Sequence, residues 1–147
     1  MMKVLIFTVA VLISIKVSAC TPPFLGYDAE FEPGMEALSA KEVIKLAEWK
    51  IRLKEVYPNG GRYYIRINEH EGAGVPGSLA EARRRSLLAT LSNLGVSNVD
   101  IAKVVVGKFT TEKTVTSGLR RYANIAELAL DPRCPHPCCP GPQPIGR

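Results

Sequence analysis

Residues 62 to 68, Arg-Tyr-Tyr-Ile-Arg-Ile-Asn, alternate strictly between two helix-length apolar stripes, and this juxtaposition most narrows the fold. In an extended chain Tyr63, Ile65 and Ile67 share one face while Arg62, Tyr64, Arg66 and Asn68 take the other, so the segment is a strand. Upstream, Ser39-Ala40-Lys41-Glu42 has the spacing of a reciprocal capping box and predicts a helix from Ala40 to about Val56. Val43, Ile44, Leu46, Ala47, Ile51 and Leu53 form its apolar stripe, Trp49 packs in or beside the core, and Pro58-Asn59-Gly60-Gly61 ends it. Downstream, after a loop from Gly72 to Gly77, Ser78-Leu79-Ala80-Glu81 repeats the capping-box spacing and predicts a second helix that stops at Gly95.

Tyr27 to Phe31 reads as a first strand, Asn98 to Gly107 with Val104-Val105-Val106 as a third, Thr110 to Gly118 as a polar connection and Leu119 to Leu130 as a fourth strand. The order strand, helix, strand, helix, strand, strand predicts an α+β fold: a two-layer sandwich with two helices on one face of a mixed four-stranded sheet.

The ends are different in character. Lys3, the apolar run Val4 to Ile15, and the small residues Ser18 and Ala19 have the layout of a secretory signal over residues 1–19. The run is shorter than the roughly 20 residues of a permanent membrane helix. Val17-Ser18-Ala19-Cys20 suits ordinary cleavage and also resembles a bacterial lipobox, which would acylate Cys20 and leave residues 20–26 as a tether. Losing Lys3 and Lys16 with the signal lowers the formal charge from +5 to +3, too weak a bias to point to nucleic acid. The domain proper is expected over 27–131, followed by an extended proline-rich tail over 132–147. Within it, Cys134-Pro135-His136-Pro137-Cys138-Cys139 offers three thiols and an imidazole, a zinc-like donor set. Alternating prolines stiffen the chain against wrapping one ion, so disulfides within the tail, to Cys20 or between chains are expected instead. Adjacent Cys138 and Cys139 are poorly placed to bridge each other.

Charge is concentrated where the second strand meets the second helix. Leu79, Arg83, Leu87 and Leu91 follow one another at intervals of four, which sets Arg83 on the core-facing stripe. A guanidinium there needs a partner: an internal glutamate, or a ligand carboxylate assisted by the free amides of the helix start. Glu69 and Glu71 stand where the second strand gives way to the loop before that helix, and together with Arg83 they would suit a small zwitterion. His70 between them is expected to be an exposed loop residue, with neither a second metal ligand nor a nucleophile nearby. No nucleophile elbow or phosphate loop is present in the sequence, and neither an enzyme nor a cofactor is expected.

Leu79-Ala80-Glu81-Ala82-Arg83, Leu94-Gly95-Val96-Ser97, Val105-Val106-Gly107 and Leu119-Arg120-Arg121-Tyr122-Ala123-Asn124-Ile125, in this order and spacing, resemble the OmpA C-terminal-like, peptidoglycan-associated domains over about residues 27 to 130. The resemblance implies a non-catalytic envelope domain that grips the diaminopimelate of the peptidoglycan stem peptide, with Arg83 and Arg121 in the arginine roles. The aspartate that meets the ligand's amine in that family is replaced, by Asn68 on an ungapped count or by Glu69 with one deletion, and the loop asparagine is missing near Val75-Pro76-Gly77. Peptidoglycan and, through Cys20, the outer membrane are the expected partners, on its periplasmic face. The departure from the motif keeps open a degenerate copy that binds proteins within an envelope secretion or conjugation machine. A soluble exported disulfide protein is a third reading.

Overall fold

The computed structural model describes residues 24–109, 115–136 and 138–139. The signal over 1–19, acylation of Cys20, most of the tether and the start of the Thr110–Gly118 connection lie outside these residues. Strand β1 (Gly26–Glu30) leads to α1 (Ala40–Val56), β2 (Gly61–Glu69), α2 (Gly77–Asn93), β3 (Ile101–Lys108), α3 (Ser117–Ala123) and β4 (Ile125–Pro132). The sheet order is β1-β4-β2-β3, with β2 and β3 parallel and β4 antiparallel to both β1 and β2. The expected α+β class and mixed four-stranded sheet are therefore present, with three helices among the described residues rather than two. β4, last in sequence, lies between the first two strands.

The alternation in β2 sends Tyr63, Ile65 and Ile67 into one core with Ala29 of β1, Ala126, Leu128 and Leu130 of β4, Leu46, Trp49 and Leu53 of α1, and Leu87 and Leu91 of α2. Each large aliphatic side chain fully removed from water contributes about 1.5–3 kcal/mol before conformational entropy is counted. Ile44 and Ile51, expected on the stripe of α1, are instead 60% and 59% exposed. At 100° per residue they lie across the helix from the line Glu42, Leu46, Trp49, Leu53 that is buried. Trp49 stacks on Tyr27 with ring centroids 5.3 Å apart, and its indole N–H donates to the Phe24 carbonyl at 2.8 Å.

The first capping box forms only by half. The Ser39 hydroxyl accepts from the Glu42 amide at 3.3 Å, but the Glu42 carboxylate turns to the edge strand, accepting from the Tyr27 hydroxyl at 2.6 Å, Lys45 Nζ at 3.0 Å and the Glu30 amide at 3.3 Å. Burial alone would raise its pKa; the hydrogen bonds from Tyr27, Lys45 and the Glu30 amide outweigh it and hold Glu42 below its ordinary 4.5. A carboxylate with a depressed folded pKa contributes stability that is present above pH 4.5 and lost as pH falls through the folded value. Glu42→Gln is thus expected to cost about 1–2 kcal/mol at neutral pH and progressively less toward pH 3, in paired urea melts. An undiminished difference at low pH would contradict the assignment.

The second capping box does not form. His70 and Val75 exchange backbone hydrogen bonds at 2.8 and 3.0 Å, which closes the loop early, and α2 starts at Gly77 behind Pro76 with no side-chain cap. Ser78 is then inside the first turn, and Glu81 pairs with Arg84 at 2.7 Å. Leu119 to Ala123, expected as strand, is the helix α3, started by the Thr116 hydroxyl accepting from the Leu119 amide at 3.2 Å. β3 starts at Ile101, after a 3-10 turn at Asn98–Asp100. Gly95 ends α2 in the left-handed region at φ +80°, the conformation for which glycine is suited.

Where an extended tail is expected, the described part folds back onto the domain. The Arg133 amide donates to the Gly60 carbonyl at 2.9 Å, Arg133 Nη2 pairs with Asp100 at 2.7 Å, and the His136 ring meets the Tyr57 ring edge-on at 5.9 Å. Cys134 and Cys139 are joined by a disulfide.

Candidate functional site

Arg83, in the second turn of α2, is 1% exposed, as its place on the Leu79–Leu91 line requires. Its partners are neutral. Nε donates to the Met35 carbonyl at 2.9 Å, and Nη2 donates to the Glu32 carbonyl at 3.2 Å and to Asn124 Oδ1 at 2.8 Å. The guanidinium carbon stands 4.7 Å from the centroid of the Phe31 ring. Burial pulls its pKa down to about 10, which still leaves it charged at neutral pH. Among the described residues no carboxylate lies within salt-bridge distance, so neither Glu69 nor Glu71 supplies the internal counter-ion.

Asn124 is the hub of this arrangement. At the C-terminal cap of α3 it accepts from Arg83, donates through Nδ2 to the Arg120 carbonyl at 2.8 Å, and offers its own carbonyl to the Phe31 amide at 2.8 Å. One residue therefore ties the end of β1, through its backbone, and the end of α3 and the buried cation, through its side chain, together. In front of it lies a shallow pocket of about 320 Å³ lined by Glu30, Phe31, Pro33, Arg120, Arg121 and Asn124. A second pocket of about 200 Å³ adjoins it across Phe31 and Pro33, with Glu30, Glu32 and Glu42 in its lining. Basic and acidic groups thus flank one short loop. Arg121 is well exposed, and its Nε lies 3.7 Å from a Glu30 carboxylate oxygen, a loose pair on the pocket rim.

The other residues singled out in the sequence are placed elsewhere. Asn68 is fully buried and donates to the Tyr122 and Ile125 carbonyls at 2.9 and 3.2 Å, holding β2 to the junction of α3 and β4, while its Oδ1 has no hydrogen-bond partner among the described residues. Glu69 pairs with Lys108 at 3.3 Å and lies against Gly77, where its charge complements the positive start of α2. Glu71 is exposed in the 3-10 turn Glu71–Ala73. His70 is buried at 2% exposure rather than exposed, because its Nδ1 accepts the Ala73 amide at 3.1 Å and caps that turn. Sequence reasoning missed Glu30, Phe31 and Asn124 as site residues; the asparagine next to last in the Leu119–Ile125 motif was the available signal.

Searches of family models and of curated proteins return no match. Solved structures do match, and they show the fold. The fold is shared with the OmpA-like domain of FopA1 from Francisella tularensis at 15% identity, with a TM-score of 0.50 over 74% of this chain and 75% of that one. A putative MotB-like protein from Desulfovibrio vulgaris matches at 14% identity and TM-score 0.51, over 74% and 75% of the two chains. The periplasmic domain of Helicobacter pylori MotB matches at 11% identity and TM-score 0.50, over 75% and 78%. The chain accordingly carries an OmpA-like fold, as its motifs imply. No helix among the described residues is long and apolar enough to cross a membrane.

Proposed function

We propose that this is a non-catalytic, exported envelope domain that binds the peptidoglycan stem peptide without a covalent bond. The observation that carries the reading is Arg83: a buried, charged guanidinium with no carboxylate partner among the described residues, one layer behind a pocket rimmed by Arg120, Arg121 and Glu30. An unneutralised buried cation favours a ligand anion in front of it, because the field is poorly screened in that direction. Arg121 is placed to take the carboxylate by a charge-assisted bond, and the neighbouring Glu30 and Glu32 to receive an ammonium. A diaminopimelate side chain has that charge pattern. Asn68 and Glu69 support the site from behind, Asn68 by fixing the α3–β4 junction that holds Asn124 and Glu69 by lying at the start of α2, which carries Arg83; Glu71, exposed in its 3-10 turn, takes no part in it.

The test uses exposed residues so that folding is preserved. Sedimentation of the Arg120→Ala plus Arg121→Ala variant with purified sacculi is expected to show binding weakened by about tenfold or more, the loss of one or two charge-assisted contacts. Equal sedimentation of variant and wild type would refute the site. Amidating the diaminopimelate carboxylate is expected to have the same effect on the wild type.

A second reading, a protein-binding part of a secretion or conjugation machine, is favoured by one observation. No residue in the pocket occupies the sequence position of the family's acidic motif, since Asn68 and Glu69 are committed elsewhere. Sacculi that bind neither protein would favour it. Anchoring to the outer membrane through an acylated Cys20 belongs to the same proposal. Acylation and disulfide formation compete for that one sulfur, so an acyl increment in the intact mass supports the anchor and its lack supports a soluble periplasmic protein.

A further inference from the structure

The tail that the wall-binding reading leaves unused carries three donors, two sulfurs joined in a disulfide and an imidazole that the fold brings beside them. The sulfurs of Cys134 and Cys139 and a ring nitrogen of His136 all lie within 4.8 Å of one another. The stiffness expected of the prolines does not keep them apart. The chain curls so that the His136 amide donates to Cys139 Sγ at 3.3 Å, and the ring is steadied edge-on against Tyr57. Cys134 is exposed, which gives a reductant access to the disulfide.

We propose that Cys134, His136 and Cys139 form a zinc site that opens when their disulfide is reduced. A protein dithiol attacks the Cys134–Cys139 bond through a mixed disulfide. Two electrons and two protons pass to the pair, and the donor becomes a disulfide. Zinc then displaces one proton from each thiol, binds two thiolates and the imidazole, and keeps water in its fourth position. Zinc bonds of about 2.0–2.3 Å put tetrahedral donors roughly 3.5–3.8 Å apart, so donors already within 4.8 Å need only small shifts after the sulfurs separate. Soft thiolates with one imidazole select zinc over magnesium or calcium. The consequence is that the loop is clasped in both redox states, by a disulfide when oxidised and by metal when reduced, and the tail stays docked beside Tyr57.

The full chain, reduced with a phosphine and titrated with Co²⁺ under nitrogen, tests this by absorbance. One equivalent is expected to produce thiolate charge-transfer and tetrahedral d–d bands, and Zn²⁺ to abolish them. The oxidised protein is expected to give none, and Cys138→Ser to keep them. His136→Ala, which leaves the disulfide and the domain intact, is expected to weaken binding by about tenfold or more, since even outer-shell partners are worth that much. Bands missing from the reduced wild type, or unchanged in Cys134→Ser plus Cys139→Ser, would overturn the proposal. Because sacculus binding is read on other residues, either proposal can fail without the other.

Discussion

Arg83→Ala is expected to lower the unfolding free energy by about 3–5 kcal/mol, measured by urea denaturation at neutral pH. Truncation removes three hydrogen bonds at once and leaves the Met35 carbonyl and Asn124 Oδ1 facing a void, while the Glu32 carbonyl keeps the Met35 amide at 3.0 Å. Each acceptor stranded away from water costs about 1–3 kcal/mol, and the lost contact with the Phe31 ring adds to this. Phe31 stays held by its burial and by its amide on the Asn124 carbonyl, so it is the exposed stretch Glu32 to Met35 that is expected to loosen in the variant, with faster amide exchange than in α1. Arg83→Lys separates charge from geometry: it keeps the cation but replaces a planar fork that reaches both carbonyls and Asn124 by a single point. An intermediate loss is expected, about half that of alanine. A loss under about 1 kcal/mol for Arg83→Ala would mean that the guanidinium is exchangeable for water, and the argument for a field directed into the pocket would go with it.

Gly61→Ala is expected to be comparably damaging for a steric reason, at a position with no charge and no left-handed backbone. A Cβ there would stand 2.4 Å from the Asp131 carbonyl oxygen and 2.9 Å from both the Asp131 carbonyl carbon and Leu130 Cδ1. Two of those three atoms are backbone, so relief requires β4 to move away from β2 at the Gly61–Pro132 end of their ladder. Overpacking of this kind costs about 3 kcal/mol or more when backbone must yield. It should also disturb the docking of the tail, which begins where the Arg133 amide meets the Gly60 carbonyl. Gly118→Ala is the matched control. It lies inside α3, where, its own helix backbone and chain neighbours aside, the nearest described atom to the added carbon is Thr116 Oγ1 at 3.9 Å, and the change is expected to be neutral or stabilising by up to about 1 kcal/mol. If both substitutions cost the same in thermal melts, the close approach of β4 at Gly61 is not real.

At alkaline pH two shifts oppose each other. Burial, together with Glu42 beside Tyr27 and Glu127 beside Tyr122, raises the pKa of Tyr27, Tyr57, Tyr63 and Tyr122 above 10, while burial lowers that of Arg83 to about 10. Above pH 10 the unfolded chain loses tyrosine protons that the folded one keeps, so stability falls as pH rises. Arg83 acts in reverse, because the folded state releases its proton first. With four groups against one, stability is expected to fall between pH 10 and 11, followed by urea midpoint at each pH; a rising midpoint would show that the tyrosines are solvated.

Local periodicity carries far in this chain, and its limits are instructive. Ala40–Val56 was legible because Ser39 caps it, and β2 because its alternation is regular. The exposure of Ile44 and Ile51 was not, since a helix with apolar residues on both sides does not say which side the sheet will cover. α3 was hidden by a strand-like composition, and the Thr116 cap that starts it is a single hydroxyl. Arg83 was singled out correctly as a cation on an apolar line, but the expected glutamate partner was a neighbour in sequence only. The groups that reach it, Glu32 and Met35 from the β1–α1 loop and Asn124 from α3, are 51, 48 and 41 residues away along the chain.

By itself, then, the sequence determined the type of every long element, though not the short helix α3, together with the α+β class and the conflict that a charge on a leucine face creates. Tertiary structure alone decided that β4 enters between β1 and β2, for pairing partners are chosen by long-range burial and no residue in either strand encodes its neighbour. That insertion carries Asn124, at the head of β4, to the end of β1, and so brings Arg83, Glu30 and Arg121 to one place.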